Sequence, residues 1–161
     1  MSINIAKKES IAKDLVGASG VHYVASELCF RGIIALPTIK NTAGYDLIVA
    51  SADGKNRANI QVKTSQHHAK FWPMPRLERV CAGRDDYYVL VRRSREASFE
   101  GFMLAGSEAK QELIAHRKAY DTRRKRRQTG GEFPCVWVER AGSEKKKAKW
   151  AGRWKSWNIN E

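Results

Sequence analysis

A helical period of apolar residues is clearest from Ser19 onward. Val21, Val24, Ala25, Leu28 and Cys29 fall at i, i+3, i+4, i+7 and i+8, a stripe that Ser19 can cap and Gly32 can stop. Residues 1–18 are more polar, and Ile11, Leu15 and Val16 predict only a short helix or an arm there. The pattern then shifts to β-formers punctuated by turn residues. Residues 33–38, 45–50 and 58–65 predict three successive strands, the last two closed into a hairpin by Ser51-Ala-Asp-Gly-Lys. Trp72-Pro-Met-Pro predicts a loop, because proline cannot donate to a ladder and restricts its neighbour. Residues 87–92 read as a buried fourth strand and 99–104 as a fifth. Ser107 can cap a helix running through Leu113, Ile114 and Tyr120, which Gln128-Thr-Gly-Gly would break; residues 143–149 read as a lysine-rich loop. Trp150, Trp154 and Trp157, at i, i+4 and i+7, predict a terminal helix docked on the core in preference to a base-stacking platform. These elements make one α/β domain over residues 1–161, a mixed central sheet flanked by helices. Its core spans about 19–120, and a basic extension covers 121–161.

Composition narrows the class. A chain of 161 residues with 42% hydrophobic positions can build one sizeable core, and a two-domain enzyme is not expected. No apolar run reaches the roughly 18 residues of a membrane span, and Met1-Ser-Ile-Asn-Ile-Ala-Lys-Lys lacks the apolar stretch of a secretory signal; a soluble, cytoplasmic protein without a membrane partner is expected. Cys29, Cys81 and Cys135 are far apart and form no C-x-x-C pair, so buried free thiols are expected instead of disulfides or a zinc site.

Charge changes the picture more. The net charge is +13, but residues 1–116 contribute only +4. Residues 117–127 hold seven basic side chains (Arg117, Lys118, Arg123, Arg124, Lys125, Arg126, Arg127) against one acid, and residues 144–155 hold six, including Lys145, Lys146, Lys147 and Lys149. Such runs repel themselves and suit a polyanion, so nucleic acid is the expected partner and these side chains the expected phosphate contacts.

Four polar residues, Glu27, Asp46, Gln61 and Lys63, stand in elements that otherwise want to be apolar. Alternation along a strand puts Gln61 and Lys63 on one face, and a suitable hairpin register brings Asp46 onto it. Glu27 sits at the margin of the helical stripe and is expected to reach the sheet. Oxygen ligands beside an ammonium suit metal-assisted phosphodiester hydrolysis: Mg²⁺ takes carboxylate and amide oxygens while keeping several waters.

Gly44-Tyr-Asp-Leu-Ile-Val, then 14 residues between Asp46 and Gln61, then Ile60-Gln-Val-Lys-Thr-Ser, with Gly20 and Glu27 on the preceding helix, resembles the PD-(D/E)xK nuclease superfamily. The resemblance spans about residues 19–65 and implies a restriction-endonuclease-like αβββαβ core. It also implies cleavage of DNA with Mg²⁺, or with Mn²⁺ in its place, and a homodimer or higher homo-oligomer. Asp46 would be the main metal ligand, Gln61 would take the second ligand position, Lys63 would be the catalytic lysine, and Glu27 would match the helix glutamate of resolvase-like branches. Tyr45 stands where proline is common, and Gln61 where Asp or Glu is usual, which leaves two carboxylates instead of three.

Other readings of the same residues lead elsewhere. Asp46 and Lys63 can form a plain cross-strand ion pair, Gln61 can be an edge amide and Glu27 a solvated helix residue. A nuclease fold without catalysis, or a basic RNA-binding module, then follows. His67 and His68 face opposite ways if they continue the strand, and with His22 and His116 they are not expected to be ligands. Phe71-Trp72 and Tyr87-Tyr88 are read as core or loop anchors.

Overall fold

The computed structural model describes residues 11–39, 44–66, 69–93, 98–127 and 133–160, with 123–127 described by backbone alone. The first helix, α1 (Lys13–Phe30), buries Gly20, Val24 and Leu28. It starts before the expected Ser19: Ala12 occupies the cap position, and the Ser19 hydroxyl donates to the Val16 carbonyl at 2.8 Å from inside the helix. Ile11 and Leu15 are exposed, so these early turns carry no core-facing stripe to announce them. The expected stop holds. Gly32 adopts φ +74°, its N–H donating to Cys29 and that of Ile33 to Leu28, a Schellman closure.

Five strands form a mixed sheet in the order β1-β2-β3-β5-β6. β1 (Ile34–Pro37), β2 (Leu47–Ala50) and β3 (Arg57–Ser65) run antiparallel in turn, as the hairpin reading expects. β3 pairs in parallel with β5 (Asp86–Arg93), and β6 (Phe99–Ala105) returns antiparallel. Between β3 and β5 the chain makes a short strand, β4 (Phe71–Pro73), and a 3₁₀ turn at Leu77–Arg79. The loop expected at Trp72-Pro-Met-Pro is therefore partly a strand, paired with β7 (Cys135–Trp137), which no sequence pattern announced. Pro73 is tolerated at the end of a two-strand ribbon, where Met74 donates to the Pro134 carbonyl at 2.9 Å, and Trp72 is fully buried with its indole N–H on the Val91 carbonyl at 3.0 Å.

Two helices follow β6. α2 (Gly106–Arg127) carries Ser107 inside its first turn. α3 (Glu144–Ser156) replaces the loop expected at 143–149. Its lysines are offset by carboxylates on other elements: Lys146 pairs with Glu112, Lys147 with Glu139 and Lys149 with Glu108. As the tryptophan spacing predicts, Trp150 and Trp154 of α3 are buried. The expected break at 128–131 lies outside the described residues.

The sheet carries apolar clusters on both faces. α1 brings Val24 and Leu28 onto Leu47, Val49, Ile60, Val62, Val89 and Val91. On the opposite face α2, β4 and β7 cover Tyr88, Leu90, Phe102 and Leu104 with Leu113, Trp72 and Val136. That second layer stops short of the outer strands, and Ile34, Leu36 and Ile48 remain exposed. The cysteines are free, and Cys29 is exposed and Cys81 partly so, correcting the expectation of three buried thiols; Cys135 is buried. No helix among the described residues is long and apolar enough to cross a membrane.

Candidate active site

Asp46 lies just ahead of β2, where the hairpin strands begin to part. Its N–H donates to the Ile60 carbonyl at 2.9 Å, and its carboxylate Oδ2 accepts the Val62 N–H at 2.7 Å. The side chain thus takes the place of a backbone rung beside the Gln61–Lys63 segment. Thr38, after β1, holds Asp46 from the other side: its N–H donates to the Asp46 carbonyl at 3.0 Å and its hydroxyl to the Tyr45 carbonyl at 2.7 Å. Among the described residues Oδ1 has no hydrogen-bond partner, so one carboxylate oxygen is available for a ligand.

Gln61 and Lys63 are level with Tyr88 and Leu90 of β5, on the sheet face away from α1. Burial pushes the Lys63 ammonium below the ordinary lysine range, and the Asp46 carboxylate partly counters that shift. The two charges attract without forming a direct ion pair, so the simple cross-strand pair is not what the structure contains. Gln61 Oε1 is buried with no hydrogen-bond partner. An orphaned buried amide oxygen is costly and calls for a ligand or a water. The structure therefore brings Asp46, Gln61 and Lys63 together, as alternation along β3 predicts.

Glu27 is not with them. β3 alternates so that Ala58, Ile60 and Val62 face α1, and a Cβ on Gly20 would lie 2.8 Å from the Thr64 Cβ, which shows how closely the helix rests on that face. Glu27 is two turns further along α1, across the sheet from Lys63, and pairs with Arg31 at 3.3 Å. Arg31 in turn donates to the Trp154 carbonyl and lies over the Trp154 ring at 4.7 Å. The expectation that Glu27 reaches the site is corrected on this ground: the helix sits on the wrong face.

Residues not assigned to the site from the sequence pack beside it. Asn59 donates to Asp86 Oδ1 at 3.0 Å, and Gly83 N–H to Asp86 Oδ2 at 2.8 Å. The Tyr45 hydroxyl, bonded to Cys81 and further affected by burial and Asp86, is pushed up to about 12; burial also pushes Tyr88 up to about 12, against the lowering effect of the Cys81 N–H that its hydroxyl accepts at 3.0 Å. Both phenols are neutral at physiological pH. Thr38 gave no signal beyond strand propensity, whereas Tyr45 was legible only as the neighbour of Asp46.

Two hard oxygens, Asp46 Oδ1 and Gln61 Oε1, fit Mg²⁺ as a sparse site completed by waters. Among the described residues no three His, Cys, Asp or Glu side chains gather as a metal cluster, so a soft or closed structural site does not fit. His67 and His68 lie outside the described residues. His22 is exposed, and His116 lies 3.5 Å from the Cys135 sulfur, away from Asp46.

The expected phosphate contacts divide. Lys118 and Lys145 are exposed, and Arg117 is exposed but paired with Glu78 at 3.2 Å. Lys146, Lys147 and Lys149, also expected to contact phosphates, are engaged by carboxylates. The side chains of Arg123, Arg124, Lys125, Arg126 and Arg127 lie outside the described set, while their backbone continues α2. In comparisons with models of protein families, with curated proteins and with solved structures, nothing matches the chain.

Proposed function

We propose that the protein is a PD-(D/E)xK-like nuclease that hydrolyses phosphodiester bonds in DNA with Mg²⁺, which Mn²⁺ can replace. The observation that carries this reading is the Asp46–Gln61–Lys63 group: a backbone-anchored carboxylate, an orphaned amide oxygen and a desolvated ammonium on one sheet face. Asp46 and Gln61 would hold the ion, which when bound polarises a phosphodiester and makes a coordinated water more acidic. Lys63 stabilises the negative charge that grows on the phosphoryl oxygens, and its partial burial strengthens that interaction. The Val62 N–H and Thr38 fix the Asp46 position, so the ligand oxygen is preorganised.

The order α1-β1-β2-β3 supports the first half of the αβββαβ core. The second half departs from it: among the described residues the parallel β3–β5 connection holds β4 and a 3₁₀ turn, and α2 follows β6. Supercoiled, linear, branched and single-stranded DNA incubated with the wild type and Lys63→Ala, in Mg²⁺, Mn²⁺ or EDTA, tests the proposal. Metal-dependent cutting by the wild type alone is expected; equal cutting by Lys63→Ala would remove the site assignment.

A second reading, a nuclease fold that binds DNA without cutting it, draws on one observation. With Glu27 across the sheet, Asp46 is the carboxylate that remains of the four-residue group. Binding without cleavage on every substrate and metal would select it.

A further inference from the structure

A cleft of about 860 Å³ lies at the opposite end of β3 from Lys63. Its wall includes Arg57, six positions before Lys63, a span of about 20 Å along a strand. The turn between β2 and β3, the loop before β5 and the tail after α3 frame it, and Asn56 ties turn to tail by donating to Asn160 Oδ1 at 3.2 Å. Four cations and one acid, Asp85, line the cleft. Two of the cations are engaged: Lys55 by Asp53 at 3.2 Å and Arg153 by Glu108. Arg57 and Arg84 have no carboxylate partner among the described residues. A half-buried Trp157 forms an aromatic wall, its ring 5.2 Å from that of Tyr87.

Unpaired guanidiniums are matched to phosphate oxygens, and an indole beside them offers a surface for a base. We propose that this cleft holds a nucleotide unit, its phosphate on Arg57 and Arg84 and its base against Trp157. The occupant is a segment of single-stranded nucleic acid or a free nucleotide, which share this chemistry. The inference rests on the nucleic-acid reading above but needs neither metal nor cleavage.

Anisotropy of a fluorescein-labelled oligothymidylate, titrated in EDTA with the full chain over a range of salt, tests it. Arg57→Ala/Arg84→Ala should weaken binding about tenfold or more and lower the slope of log K against log salt by about 1.4, two contacts at ~0.7 each. Both side chains are at the surface, so the fold should survive. Trp157→Leu, which keeps an apolar side chain, should weaken binding by about fivefold or more. Lys13→Ala/Lys110→Ala removes the same charge elsewhere and should change affinity less than about threefold. Displacement of the oligonucleotide by thymidine 5′-monophosphate would identify a free nucleotide as the occupant, and failure to displace it a strand. Equal loss in the two double variants, or no loss in Arg57→Ala/Arg84→Ala, would overturn the proposal. A wild type that binds in this manner yet cuts nothing in Mg²⁺ would remove the enzyme and leave the cleft.

Discussion

Lys63, catalytic in the proposed reading, illustrates how such a side chain would oppose stability. Burial outweighs the Asp46 attraction, so its pKa in the fold lies below the ordinary lysine value of 10.5. Between those two values the unfolded chain binds more protons than the folded one, and stability rises with pH; below the folded value the penalty is complete. Lys63→Met, with no charge to bury, should therefore melt a few degrees higher than the wild type at pH 7, and the gain should shrink as pH climbs toward 10.5. The same variant should lose cleavage by about a hundredfold or more. Thermal melts at several pH values beside a cleavage assay check both; a lower melting temperature at pH 7 would show that the ammonium carries no desolvation penalty. Gln61 gives a second expectation. Gln61→Glu adds an anionic oxygen where Oε1 is orphaned, so Mg²⁺ should bind about tenfold more tightly by calorimetry; unchanged affinity would mean that Gln61 is not a ligand. Asp46, Gln61 and Lys63 could be read from the sequence because period-two alternation alone puts 61 and 63 on one face. Glu27 could not be placed that way. A helical stripe shows which residues face the sheet, but which face of the sheet receives it depends on the parity of β3, which the packing of Ala58, Ile60 and Val62 on α1 and the Gly20–Thr64 contact reveal.

Elements were legible where local pattern and tertiary packing agree. β1, β2, β3, β5 and β6 each have runs of β-formers bounded by turns, and all were expected within a few residues. β4 and the first half of α3 were hidden for opposite reasons. Pro73 discourages a strand locally, yet pairing with β7 and the burial of Trp72 override it. Residues 143–149 read as a loop because four lysines crowd them, but Glu108, Glu112 and Glu139 arrive from distant positions to offset the charge. Glu108 makes this testable. Burial would raise its pKa, but Arg153 and Lys149 outweigh that and hold it at about 2, against the ordinary glutamate value of 4.5. Its contribution is complete above about 4.5 and is lost as pH falls toward about 2. Glu108→Gln should cost about 1–2 kcal/mol at pH 7 after solvent screening, and denaturant curves of the two proteins should converge near the low end of that window. Docking of α1 has an equally local probe. Gly20→Ala would ordinarily favour a helix, but the added Cβ meets Thr64, so a loss of about 1–3 kcal/mol is expected. Adding Thr64→Ala removes most of the obstructing atoms and should recover much of that loss, whereas additive losses would mean that the two residues do not meet.

Across the whole molecule the net charge of +13 is large, but its cations are not equally available to a polyanion. An ion-paired lysine must give up its carboxylate before it meets a phosphate, so much of the attraction it offers is already spent within the fold. Lys146, Lys147 and Lys149 are in that position, and replacing all three with alanine should lower the melting temperature while changing affinity for a short DNA duplex less than about threefold. The run Arg123, Arg124, Lys125, Arg126 and Arg127 holds five positive charges and no acid, and Asp121 is the only acid in residues 117–127. Neutralising those five to glutamine should weaken duplex binding about tenfold or more and flatten its salt dependence. Titrations at several salt concentrations separate the two sets. If the α3 lysines weaken binding and flatten the salt dependence as much as the α2 run does, net charge alone draws in DNA and the internal ion pairs impose no order on which cations it meets.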